Sequence, residues 1–134
     1  MNFSHIALNC RDIDVTERFY VEHFGFARAR NIPLGGNARI TFIRNGSMLL
    51  ELFAAEGDRP DGEGDGPHGA GIRHIAFQVE DVDAVLAKLG GAAPITAGPM
   101  DFFSFIPGWR TVWVKDPDGN IVEISQGYRD EDGA

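Results

Sequence analysis

The chain has one cysteine, no apolar run long enough for a membrane span, and too few basic residues to balance its acids. Each shortage removes a class of function. Cys10 alone cannot close an internal disulfide, and its place in an apolar strand reads as a buried thiol, so a reducing, cytoplasmic setting is expected. The start, MNFSHIALNC, lacks the basic-then-apolar order of a signal peptide, and nothing approaches the ~20 apolar residues of a spanning helix, so neither export nor a membrane partner is expected. Twelve Lys and Arg stand against twenty Asp and Glu, a net charge of −8. That balance argues against a nucleic-acid partner, whose backbone is bound by clustered positive charge.

What is present is a repeat. FSHIALNCRDID from Phe3 and IRHIAFQVEDVD from Ile72 align without a gap: His5 with His74, Ile6 with Ile75, Ala7 with Ala76, Asp12 with Asp81 and Asp14 with Asp83. Leu8/Phe77, Cys10/Val79 and Ile13/Val82 exchange one apolar residue for another. A constant register over this length points to a duplicated structural unit inside a single domain of 134 residues.

The periodicities predict the same element order twice. Residues 3–10 read as a strand; Asp12 or Asp14 caps a helix, with Glu17 at capping-box spacing from Asp14, and Phe19, Tyr20, His23 and Phe24 form its buried face. Gly25 ends the helix, and strands follow over 26–32, 38–44 and 48–54, the last two joined at Asn45-Gly46. The stretch 56–71 is Gly-rich and acidic and reads as a solvated linker. Beyond it come a strand over 72–79, a helix carrying Val82, Val85, Leu86 and Leu89 and stopped at Gly90-Gly91, and a short strand in AAPITA. A hairpin then turns at Asp116-Pro117-Asp118-Gly119. The expected fold is α+β: module 1 over 1–55, linker 56–71, module 2 over 72–126, each βαβββ, and a tail over 127–134 with nothing to pack against.

Each module offers one His on its first strand and one Glu on its last: His5 and Glu51, His74 and Glu123. Strand alternation puts His5 on the face of Ala7 and Asn9, and His74 on that of Ala76 and Gln78. Each Glu lies opposite its apolar neighbours, Leu50 and Leu52 or Val122 and Ile124, an expensive place for a carboxylate without a partner or a metal. Singly, such residues are usually structural. Four of them at equivalent places in a repeat point to a shared divalent metal, one of Zn, Ni, Co, Mn or Fe, with open positions for substrate oxygens. Such a site suits stabilisation of an enediolate, with Glu51 or Glu123 moving a proton. His23 and His68 are not counted as ligands, and Asp81, Asp83, Asp116 and Asp118 read as cap and turn residues. In the segment 100–109, Phe102, Phe103, Phe105 and Trp109 cluster, with Trp113 beyond; they serve equally as a hydrophobic seal or as a lid over an aromatic substrate.

The paired βαβββ pattern, the His and Glu placement and the stretch DPDGNIVEI at 116–124 resemble the vicinal oxygen chelate superfamily over residues 3–126. The resemblance implies a curved mixed sheet around a metal cleft, paired in a homodimer, so that the four ligands can come from both chains. The set His5, Glu51, His74 and Glu123 is similar to that of glyoxalase I, which implies a metal-dependent lyase or isomerase acting on a small carbonyl or hemithioacetal-type substrate. An extradiol-type dioxygenase, or a non-catalytic protein binding a drug or metabolite as bleomycin-resistance proteins do, are the alternatives. Asn9 stands where glyoxalase I has a basic residue for glutathione, and Arg11, Arg39, Arg73 or Arg110 are the candidates to replace it. The substrate pocket is expected around Asn9, Phe103, Phe105, Trp109 and Trp113.

Overall fold

The computed structural model describes residues 1–58 and 69–133. The chain divides into two compact units, Met1–Gly62 and Glu63–Ala134. Most of the expected linker, with His68, lies outside the described residues.

The first unit runs β1 (Ile6–Cys10), α1 (Ile13–Phe24), β2 (Ala27–Gly35), β3 (Ala38–Asn45) and β4 (Met48–Ala54). Its sheet has the order β1-β4-β3-β2, with β1 parallel to β4 and the other pairs antiparallel. Asp12 is the N-cap, its carboxylate accepting from the amides of Asp14 at 2.9 Å and Val15 at 3.4 Å. The Asp14–Glu17 capping box does not form, because Asp14 lies inside the helix that Asp12 caps; Glu17 takes a two-pronged contact from Arg28, at 2.8 and 2.6 Å, which holds that guanidinium's pKa above its ordinary value. Gly25 closes the helix at φ +71°, a left-handed cap. Ile13, Thr16, Phe19, Tyr20 and Phe24 are the helix's buried residues, whereas His23 is only half-buried. They lie in a core with Leu8, Cys10, Ile43, Leu50 and Leu52. Cys10 is fully buried there.

The β3–β4 hairpin turns one residue later than Asn45-Gly46 suggests. Asn45 still pairs with Met48, so Gly46 and Ser47 are the two loop residues. Gly46 at φ +55° takes the first loop position, where a two-residue hairpin of the II′ kind needs glycine. Asn45 instead ties the hairpin to the helix. Its side-chain amide donates at 2.7 Å to the carbonyl of Phe24, satisfying an orphan group at the end of α1.

The second unit runs β5 (Ile75–Gln78), α2 (Val82–Leu89), a 3-10 turn over Gly90–Ala92, β6 (Ile95–Asp101), β7 (Arg110–Lys115) and β8 (Ile121–Gln126). Its sheet order is β5-β8-β7-β6, with β5 parallel to β8, the arrangement of the first unit again. Asp81 caps α2 through the amide of Ala84 at 3.0 Å. The β7–β8 turn is built on the buried Asp116, whose carboxylate accepts from the amides of Asp118 and Asn120, both at 2.9 Å, and from the Asn120 side chain at 2.8 Å. The tail is not without contacts. Tyr128 sets its ring 5.9 Å from that of Trp109, and Gly127 lies so close to Gly108 that an added Cβ would fall 2.2 Å from its carbonyl oxygen.

The architecture is therefore α+β, two four-stranded mixed sheets with one main helix apiece. The repeat extends further than the aligned residues. In each unit the Asp of the first helical turn binds an arginine at the start of the third strand: Asp14 with Arg39 at 2.6 Å, and Asp83 with Arg110 at 3.0 Å.

Candidate metal and ligand site

Parallel pairing of the first and last strand of each unit brings His and Glu together. Ala7 is opposite Glu51 in the first unit and Ala76 is opposite Glu123 in the second, so the register is the same. His5 and His74 each lie two residues before that alanine, one residue ahead of the strand on which the sequence pattern placed them. The His5 Nε2 is 3.0 Å from a Glu51 oxygen, and the His74 Nε2 is 2.7 Å from a Glu123 oxygen. On the other side of each carboxylate stands an aromatic residue, Phe42 or Trp113. A small neighbour and a flat one leave the pair reachable: the His5 and Glu51 side chains are 39% and 16% exposed, those of His74 and Glu123 24% and 12%.

The two pairs are not equally held. Among the described residues, Glu51 is paired with His5 alone, whereas Glu123 has a second partner in the buried Thr111, whose hydroxyl lies 2.8 Å from the other carboxylate oxygen. That hydroxyl is also 3.1 Å from the carbonyl of Ile124. Its single proton is best spent on the nearer, charged acceptor. The sequence equivalent of Thr111 in the first unit is Ile40, which has no hydroxyl.

The donor chemistry of each pair fits half of a metal site. Two bonds of about 2.1 Å at a right angle hold their donor atoms about 3.0 Å apart, close to the separations found here. In the first unit the second ring nitrogen of His5 is 2.8 Å from the Ser4 hydroxyl, the kind of outer contact that orients a ligating imidazole. Among the described residues no group of three or more His, Cys, Asp or Glu gathers to hold an ion. Each unit thus presents one imidazole and one carboxylate.

The family profile described as "Glyoxalase/Bleomycin resistance protein/Dioxygenase superfamily" matches residues 2–124. The chain belongs to this superfamily. It is 31% identical over 126 residues to the uncharacterized protein YwkD of Bacillus subtilis (strain 168), covering 90% of this chain and 92% of that one. Among solved structures it is similar to the trypanothione-dependent glyoxalase I of Leishmania major, with a TM-score of 0.70 and 25% identity over 95% of this chain and 87% of that one. It is equally similar in sequence to TnmS3, an antibiotic binding protein from Streptomyces sp. CB03234, with a TM-score of 0.66 and 25% identity over 96% of this chain and 99% of the other. Superfamily membership does not choose among activities, because one fold hosts several chemistries.

In this glyoxalase-superfamily chain the second unit also holds a cavity of about 430 Å³ beside the His74–Glu123 pair, lined further by Arg73, Ala97, Met100, Phe102, Trp109, Thr111 and Trp113. Of the aromatic residues expected in a pocket, Trp109 and Trp113 are in its wall. Phe103 and Phe105 are not; they are 53% and 75% exposed on the loop between β6 and β7. Phe102 takes their place. Its amide donates at 2.8 Å to the carbonyl of Trp109, closing the loop and carrying the next two phenylalanine-bearing positions outward. Asn9 is exposed on β1 of the first unit and is not among the residues lining this cavity.

Met100 and Thr111 are cavity residues that the sequence pattern does not reveal. The signal lies only in strand register, since they face one another across β6 and β7. Three of the candidate arginines are engaged elsewhere: Arg11 with Asp58 at 2.7 Å, Arg39 with Asp14, and Arg110 with Asp101 at 2.7 Å as well as Asp83. The two contacts to Arg110, Asp101 first, raise its pKa above the ordinary value. Arg73 lines the cavity. Among the described residues no helix is long and apolar enough to cross a membrane.

Proposed function

We propose that this protein is a metal-dependent lyase or isomerase that acts on a small carbonyl or hemithioacetal-type substrate. The observation that carries the proposal is the duplicated pair: His5 with Glu51 and His74 with Glu123, at the same register and nearly the same separation. Two such pairs, one from each of two copies of the chain in a homodimer, supply two imidazoles and two carboxylates to one divalent ion. Zn, Ni, Co, Mn and Fe all accept that donor set. When bound, the ion supplies Lewis-acid stabilisation of negative charge developing on the substrate oxygens.

The work of the protein's own residues is proton movement. For a hemithioacetal R–CO–CH(OH)–SR′, a carboxylate of Glu51 or Glu123 takes the proton from the carbon bearing sulfur and returns it to the adjacent carbon. The hydroxyl proton passes from the first oxygen to the second, and the product is the thioester R–CH(OH)–CO–SR′. No oxidant or reductant is consumed. His5 and His74 would hold the ion beside these carboxylates, and Thr111 fixes the orientation of Glu123.

A second reading is favoured by one observation, the aromatic cavity of the second unit. A flat apolar wall is also what a non-catalytic metabolite or antibiotic binder needs, and what an extradiol dioxygenase needs for a catechol. The test is metal content per chain in protein purified without chelator or nickel affinity, followed by turnover assays with the metal removed and restored. Near-stoichiometric Zn, Ni, Co or Mn with metal-dependent thioester formation is expected. Oxygen uptake with a catechol in the iron form selects the dioxygenase. Ligand binding without metal or turnover selects the binder.

A further inference from the structure

The wall of the second unit's cavity is built from rings, and those rings are fixed. Trp109 donates its indole N–H to the Ser125 hydroxyl at 3.0 Å. Its ring lies 5.1 Å from Phe102 at an interplanar angle of 43°, and Tyr128 closes on it at 5.9 Å. Phe102 meets Trp113 edge-on, 6.4 Å away at 85°. Behind the loop, Gly127 and Gly108 are in backbone contact that leaves no room for a side chain, so the loop cannot slide along the end of β8. Phe102, Trp109 and Trp113 are all only half-buried, and each lines the cavity. Across from Trp113 in the strand register is Ala97, whose small side chain leaves the space in front of the indole open.

A pocket for a methyl group needs no such wall. Three aromatic surfaces, packed on one another at differing tilts and held before any ligand arrives, make one wall against which a planar group can lie, and rings stack on one another in offset or edge-on arrangements. Pre-fixed side chains also spare the ordering cost that binding otherwise carries. The volume is at the smaller end of the about 300–1,000 Å³ of small-molecule sites, suited to a compact ring system. His74 and Glu123 lie in the same cavity lining.

We infer that the substrate carries an aromatic ring next to its reacting carbonyl, seated against Trp109, Phe102 and Trp113 with its oxygens toward His74 and Glu123, and that Trp109 is the specificity-determining residue. This deepens the lyase or isomerase reading and rests on it for the reacting end. The seat for the ring stands on the cavity alone.

The chain has two tryptophans, and both line this cavity, so their emission reports its occupancy directly. The intact protein is titrated with acetophenone and, in parallel, with acetone, following tryptophan emission corrected for ligand absorption. Phenylglyoxal and methylglyoxal, each premixed with glutathione or 2-mercaptoethanol, are then compared as substrates. Saturable quenching by acetophenone but not acetone is expected, with kcat/KM at least about tenfold higher for the phenyl substrate. In Trp109→Ala, or in Trp109→Leu should the alanine variant fail to fold by circular dichroism, that phenyl-over-methyl preference falls towards one. Saturable quenching without turnover of either substrate leaves the ring seat in place and overturns the lyase reading. Equal turnover of both substrates with no saturable quenching overturns the ring seat and leaves the lyase reading. Neither quenching nor turnover overturns both.

Discussion

Replacing Thr111 by valine removes one oxygen and nearly nothing else. Thr111 is fully buried on β7, and valine has the same shape and suits a strand, so no cavity or backbone change accompanies the substitution. What is lost is the 2.8 Å hydrogen bond to a Glu123 carboxylate whose side chain is 12% exposed. Hydrogen bonds to charged groups contribute about 1.5–3 kcal/mol. For a domain of this size that corresponds to a fall in Tm of about 5–11 °C. Loss of an outer contact to a ligating carboxylate also costs about 10–100-fold in metal affinity. Thermal unfolding by circular dichroism at neutral pH, without added metal, reads the first effect; calorimetric titration with Zn²⁺ reads the second. Thr111→Ser, which keeps the hydroxyl, should recover most of both. A Thr111→Val protein that melts within a degree of the parent and binds metal as tightly would refute the assignment of Thr111 as the residue that secures Glu123.

Two further outcomes test the pair and the loop. Glu123→Gln preserves volume but removes the anionic donor, so metal affinity should fall by more than the about 10–100-fold expected for an outer contact, with the circular dichroism spectrum retained; unchanged affinity by calorimetry would show that Glu123 does not ligate. Gly127→Ala places a Cβ 2.2 Å from the Gly108 carbonyl oxygen at a residue with φ +76°, so the 102–109 loop must shift. The expected result is a lower Tm together with a red shift in tryptophan emission as Trp109 loses its seat, and an unchanged spectrum would mean that the glycine contact does not hold the loop.

The element order and the α+β class were legible along the chain because they depend on local period and on duplication, whereas the meeting of each His with its Glu depends on the parallel pairing of first and last strand. Alternation puts His5 with Ala7 whatever the tertiary details, and a repeat at constant offset transfers the same logic to His74. Caps were half legible. Asp12 and Asp14 are both good candidates by type, and only the start of the helix at Ile13 makes Asp12 the cap and places Asp14 inside the first turn.

Tertiary structure decided the rest. Hydrogen bonds between strands set which residues far apart in sequence become lateral neighbours. Hence Thr111 reaches Glu123, Met100 and Ala97 join the cavity, and the Asp14–Arg39 and Asp83–Arg110 pairs repeat unseen. The aromatic segment shows the division most clearly. Composition determined that 100–109 is rich in rings, but the four backbone bonds that close the loop between Phe102 and Trp109, with two glycines in contact behind it, decided that Phe102 and Trp109 line the cavity while Phe103 and Phe105 are exposed. In a loop there is no fixed period to turn position into direction, so the orientation of each ring comes from closure of the chain around it.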